Sequence, residues 1–162
     1  FISVLMAEPE QKVIVASTAG YGFISTVQEM YTRNTKGKTF LNLPEGAQPL
    51  PPVLLTSQVE EFQIVAITQQ GRLLAFGIAA LAQMPKGKGN KIIHVQSKNL
   101  KAGADSLSFI ACLGSQQKLI IAAGKRTFTL TPEMLKEFCG ERGARGSKLP
   151  RGFQNVSGVS IE

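Results

Sequence analysis

The sequence predicts an all-β fold, an arc of about three four-stranded blades of about fifty residues each, cut from a larger radial, propeller-like disc. Three observations carry this. The apolar runs are short, rich in Val, Ile, Leu and Phe, and bounded by Gly, Pro, Asn or Ser, which is strand rather than helix patterning. The pattern recurs: the turn glycines Gly20, Gly71 and Gly124 are 51 and 53 residues apart, and the loop glycines Gly37, Gly87 and Gly143 are 50 and 56 apart. A basic, acid-free segment returns at the same interval. A single four-stranded sheet cannot cover its own apolar faces, so such units must stack on one another. A β-sandwich would leave the repeat unexplained.

In chain order, Phe1–Met6 reads as a strand, then Lys12–Ser17, a turn through Gly20, and a return run Tyr21–Thr26. The second unit repeats this with Val53–Thr56, Phe62–Thr68, Gly71 and Arg72–Phe76. The third does so with Leu107–Leu113, Lys118–Ala123, Gly124 and Arg126–Leu130. Glycine suits these tight turns because it reaches positive φ without a steric penalty. A short helical stretch follows each hairpin: Val27–Met30, Ile78–Ala82, and a turn capped by Thr131 with Pro132 at its first position. Thr39–Leu43, Lys91–Val95 and Val156–Ile161 are strands beyond each basic loop. The approximate blades are 1–50, 51–105 and 106–162.

The 162 residues are 43% hydrophobic and 18% charged, enough apolar content to order a folded core. The longest apolar run, Leu73–Ala82, is ten residues, well short of the roughly 18 needed to span a bilayer. No charged segment leading into an apolar one opens the chain, so neither a signal peptide nor a membrane partner is expected. The chain starts on Phe, which suggests a fragment of a longer protein. Cys112 lies in an apolar run and reads as a small core residue. Cys139 has no functional reading, and the two together fit a reducing cytoplasmic compartment.

The net charge of +7 is unevenly placed. Arg33, Lys36 and Lys38 form one acid-free window. Lys86, Lys88 and Lys91 form a second, and Arg142, Arg145, Lys148 and Arg151 a third. These windows hold ten of the eighteen cations, and the rest of the chain is net −3. All three are punctuated by glycine, which lets a backbone approach a partner closely. Cations on such loops are the footprint of phosphate binding. Arg72, opening the return strand of the second unit, joins these ten as a candidate phosphate contact.

Catalytic and cofactor motifs are absent from the pattern. Gly37-Lys38-Thr39 imitates the end of a phosphate-binding loop, but position 32 is Thr where the motif needs Gly. Gly87-Lys88-Gly89 begins like a dinucleotide fingerprint, but position 92 is Ile. His94 is the single histidine and has no partner at metal-ligand spacing. No catalytic residue, metal site or cofactor is therefore expected in this chain.

Several segments carry a family resemblance: Tyr21-Gly22-Phe23 after Ala19-Gly20, Gly71-Arg72-Leu73-Leu74-Ala75-Phe76, Lys86-Gly87-Lys88-Gly89-Asn90-Lys91-Ile92-Ile93, and Gly140-Glu141-Arg142-Gly143 with Arg145-Gly146. Over nearly the whole chain they resemble the C-terminal domain of the ParC-type subunit of bacterial DNA topoisomerase IV. The resemblance implies a β-pinwheel of gyrase-A-type repeats whose neighbouring blades exchange strands, with this chain covering the later blades. It also implies a non-catalytic domain that binds and bends double-stranded DNA for an ATP-dependent isomerase. The ATP and Mg of that enzyme, its catalytic tyrosine and its metal-binding acids belong to other regions, so Tyr21 and Tyr31 are not nucleophiles. Implied partners are double-stranded DNA, the rest of the ParC-type subunit and the separate ATPase subunit of the holoenzyme, at the bacterial nucleoid; an acidic chromosome-condensing protein is the partner a basic rim could meet if the domain is a docking module. The gyrase A protein shares the fold, but its Q-R-R-G-G-K-G box is missing from the three windows. A protein-docking module is the alternative from another class.

Overall fold

The computed structural model describes residues 12–29, 47–50, 53–54, 63–81, 83, 89–114, 117–153 and 156–161. The expected strands Phe1–Met6 and Thr39–Leu43 lie outside them. The strands are β1 (Lys12–Ala16), β2 (Tyr21–Thr26), β3 (Val53–Leu54), β4 (Gln63–Thr68), β5 (Arg72–Gly77) and β6 (Asn90–Lys91). They continue as β7 (Leu107–Leu113), β8 (Leu119–Ala123), β9 (Arg126–Leu130), β10 (Ser147–Lys148) and β11 (Gly158–Ile161).

Three hairpins form the centres of three sheets. β1 and β2 pair from Lys12–Thr26 to Ala16–Gly22, β4 and β5 from Gln63–Gly77 to Ile67–Leu73, and β8 and β9 from Leu119–Leu130 to Ala123–Arg126. The turn glycines do what the repeat requires: Gly20, Gly71 and Gly124 have φ of 86°, 80° and 63°. Each hairpin is followed by a short helical element. Residues 27–29 are helical, Ile78–Ala80 form a 3-10 turn, and Pro132–Leu135 form a helix. The Thr131 hydroxyl accepts from the Met134 N–H at 3.3 Å and caps that last helix.

The sheets interleave along the chain. The first has the order β3-β1-β2-β6, the second β10-β5-β4-β7, and the third β11-β8-β9. The strand completing the first hairpin thus comes from residues 90–91, and the strand completing the second from residues 147–148. Both lie within basic windows. This is a β-pinwheel: sheets stacked like blades and tied by strands reaching back onto the preceding hairpin.

Two cores lie between successive sheets. Ile64 and Ala66 of β4 point with Ile14, Ile24, Leu74, Ile92 and Ile93 into one of them. Val65 and Ile67 point with Leu73, Leu119, Ile121 and Leu130 into the other. Strand side chains alternate faces, so a sheet covered on both sides must be apolar at every position. β4 accordingly reads QIVAIT, with everything after Gln63 buried. Each large side chain so buried contributes about 1.5–3 kcal/mol. β9 occupies the place of β2 and β5 but is mostly exposed, and its sequence RTFTL is correspondingly polar.

Several strands are shorter than the sequence predicts. Lys91–Val95 is a strand only through Lys91, because the Ile92 N–H turns to the Gly20 carbonyl at 2.6 Å. The last strand begins at Gly158. Cys112, on β7, is half-buried against the first core, and burial pushes its thiol up to about 11. Cys139 is exposed, and both cysteines are free.

Candidate nucleic-acid interface

The described end of the second basic window and the matching part of the third are built alike. Gly89 has φ +83° and Gly146 φ +79°, and each leads into a two-residue strand ending in lysine. In the first sheet Lys91 stands opposite Tyr21, and in the second Lys148 stands opposite Arg72. The next residue then donates its N–H to the turn glycine of the same hairpin: Ile92 to Gly20 at 2.6 Å, and Leu149 to Gly71 at 2.7 Å. Both side chains are buried and anchor the segment in a core.

The glycines permit this docking. A Cβ at Gly89 would run into the Gly22 carbonyl, and one at Gly146 would lie 2.8 Å from the Leu73 oxygen. A side chain at either position would push the strand off its hairpin. The unit is therefore a cation, a glycine at positive φ, one residue, a lysine and an apolar anchor. Lys91 and Lys148 are its equivalent lysines.

The two windows also touch. Arg142 Nη1 donates to the Lys91 carbonyl at 2.7 Å, the Gly143 N–H to the Ile92 carbonyl at 2.9 Å, and the His94 N–H to the Ala144 carbonyl at 2.9 Å. Lys91 Nζ lies 3.4 Å from His94 Nδ1 and 5.9 Å from the Tyr21 ring centroid. Arg72 Nη1 donates to the Gly146 carbonyl at 3.2 Å. Lys91, Arg72 and Arg142 are half-buried by these contacts, whereas Arg145, Lys148 and Arg151 are exposed. Among the described residues no carboxylate pairs with any of the six. The strip is thus cationic, joined by backbone hydrogen bonds, and held in place by both cores.

Of the candidate residues, the structure brings together Arg72, Lys91, Arg142, Arg145 and Lys148, with Arg151 next along the chain. Arg33, Lys36, Lys38, Lys86 and Lys88 lie outside the described residues. Sequence reasoning set aside His94 and Tyr21, which flank Lys91. No sequence signal pointed to them, since residues three apart in the strand expected over Lys91–Val95 would face opposite ways. Among the described residues no group of three or more His, Cys, Asp or Glu could hold a metal, and no helix is long and apolar enough to cross a membrane.

Comparison with known proteins agrees with the fold. No protein-family model matches the chain. The DNA topoisomerase 4 A-type subunit of Salmonella typhimurium is 43% identical over 158 residues, 98% of this chain and 21% of that protein. Its counterpart of the same name from Pseudomonas aeruginosa is 38% identical over 162 residues, again 21% of its length. The chain thus spans about a fifth of these relatives. Among solved structures, the C-terminal domain of Escherichia coli ParC superposes with a TM-score of 0.84 at 38% identity, over 98% of this chain and 63% of that one. The C-terminal domain of DNA gyrase A superposes at 0.70 with 10% identity, over 96% and 50%, a likeness of fold alone.

The interleaved sheets and these matches define a β-pinwheel domain of the class carried by ParC and gyrase A. Identity of 38–43% over essentially the whole chain makes it a homologue of the A-type subunit of DNA topoisomerase IV. The ParC superposition assigns the match to that protein's C-terminal domain.

Proposed function

We propose that this domain binds duplex DNA without strong sequence preference, through phosphates that lie along its basic strip, and holds the duplex bent. The observation that carries the reading is the shared build of Gly89–Ile92 and Gly146–Leu149, joined by Arg142 on the Lys91 carbonyl. A lysine delivered at the same place on successive sheets suits a backbone that offers a charge at regular intervals. Phosphate contacts position DNA without reading its sequence, and no helix among the described residues is long enough to enter a groove. Arg33, Lys36, Lys38, Lys86 and Lys88 are proposed as further phosphate contacts on their sequence pattern alone.

If about half of the ten window cations engage, log K should fall against log salt with a slope of roughly −4 to −5. Bending 20–30 base pairs costs on the order of 1–6 kcal/mol, so several windows must share the duplex to curve it. In the longer protein such a bend would steer a second DNA segment for relaxation or decatenation by an ATP-dependent type II topoisomerase. Its ATP and Mg sites, the remainder of the ParC-type subunit, plus the ATPase subunit, lie beyond this domain.

Charge reversal at Lys86, Lys88 and Lys91 tests the proposal. The triple Glu variant should bind duplex at least tenfold more weakly and flatten the salt slope by about 2–3. Unchanged affinity with an unchanged circular dichroism spectrum would remove the DNA reading.

A further inference from the structure

We propose that a cleft at the β4–β5 turn of the second sheet, walled by β10 and the segment that follows it, binds a diphosphate group, as carried by pyrophosphate or a nucleoside diphosphate. The cleft has a volume of about 470 Å³, within the range of small-molecule sites. Three cations line it, Arg72, Arg145 and Lys148, together with the amides of Gln69 and Gln70 and an apolar floor that includes Phe153. No acid is among the lining residues. Asp105, next to the lining Ala104, is buried, and its Oδ1 accepts the N–H groups of Gln70 at 3.3 Å and Ser106 at 3.0 Å.

The walls are held before any ligand arrives, which lowers the ordering cost of binding. Gln69 N–H donates to Ser106 O at 2.8 Å, and Gln70 Nε2 to Ala104 O at 3.2 Å, so the hairpin turn is tied down from behind. Arg72 spends one donor on Gly146 O and thereby fixes its guanidinium beside Lys148, its cross-strand neighbour. Phe153 is buried and braced by Phe128, with ring centroids 5.7 Å apart.

A duplex presents a convex backbone and single charges, which a concave site with three cations exceeds. Two linked phosphoryl groups offer more charge and enough acceptor oxygens to engage two guanidinium forks and an ammonium together. The first sheet has Tyr21 where the second has Arg72, so the equivalent place there lacks the third cation. The site shares three cations with the proposed duplex interface but stands independently, because it is read out with no DNA present.

The test is calorimetric titration of the full chain with sodium pyrophosphate at constant ionic strength, with inorganic phosphate and ADP as parallel arms. Pyrophosphate should bind saturably, one per chain, and about tenfold or more tighter than phosphate. Arg145→Gln and Lys148→Gln should each weaken it about tenfold without lowering Tm, while Lys98→Gln, outside the cleft, leaves it unchanged. Tighter binding of ADP assigns the apolar floor to a nucleoside, and equal binding assigns the site to the diphosphate alone; both support the proposal. No saturable binding, or an equal loss in Lys98→Gln, would overturn it. Salt-dependent duplex binding by the same preparation would then show that the DNA reading survives the failure of the cleft.

Discussion

Replacing Gly89 with alanine keeps every cation and removes only the fit of one window on its hairpin. Gly89 lies at φ +83°, where an L residue costs about 1–2 kcal/mol. Its new Cβ would also meet the Gly22 carbonyl, a backbone group that cannot swing aside. Relief requires β6 to lift from β2, straining its short ladder and the Ile92 N–H bond to Gly20 at 2.6 Å. Each lost hydrogen bond adds about 0.5–1.5 kcal/mol, so the whole change comes to about 2–4 kcal/mol. Gly103→Ala is the internal control: φ is +71°, but nothing lies within 4 Å of its new Cβ. It should lose only the conformational term of about 1–2 kcal/mol. Thermal unfolding should place Gly89→Ala roughly 2–8 °C below Gly103→Ala, at about 2–4 °C per kcal/mol for a chain of this length. Duplex affinity should fall in the first variant and hold in the second. Equal Tm and equal DNA affinity for the two would refute the idea that the glycine docks the lysine.

Other outcomes follow from the same contacts. Thr131→Ala removes the hydroxyl that accepts the Met134 N–H and should cost about 1 kcal/mol in urea unfolding, with Thr131→Ser restoring most of it. A thiol reagent at neutral pH should modify exposed Cys139 well before Cys112, whose raised pKa keeps it protonated. A raised thiol pKa means the unfolded chain loses that proton first as pH rises from 9 toward 11. Cys112 therefore lowers stability across that window, and Cys112→Ala should show a shallower alkaline decline in unfolding free energy. Arg142→Ala should weaken duplex binding by more than one lost phosphate contact, because it also frees the third window from the Lys91 carbonyl.

The hairpins were legible in the sequence because their causes are local. Val-rich and Ile-rich runs ended by a glycine that takes positive φ specify β1–β2, β4–β5 and β8–β9 without any distant partner. Thr131-Pro132 announced its helix for the same reason. What could not be read was where each basic window docks. Lys91 belongs to the second unit by sequence, yet stands opposite Tyr21 of the first; Lys148 likewise stands opposite Arg72, 76 residues earlier. Such pairing depends on backbone hydrogen bonds that any residue can make, so side-chain identity leaves little trace. The trace that exists is Gly89 and Gly146, whose missing side chains the docking requires. The strand expected over Lys91–Val95 shrank for the same cause, since Ile92 gives its N–H to a turn rather than a ladder. The cleft was illegible because Arg72 and Arg145 meet only after β10 has docked on β5 across more than seventy residues of chain.

The central claim is that glycine-docked cations on successive sheets grip the duplex backbone together. Duplex titration of this chain over a salt series tests it most directly. The account predicts a linear plot of log K against log salt with a slope of roughly −4 to −5. A slope near zero, or one that stays the same when Lys91 and Lys148 are both changed to Glu, would contradict it.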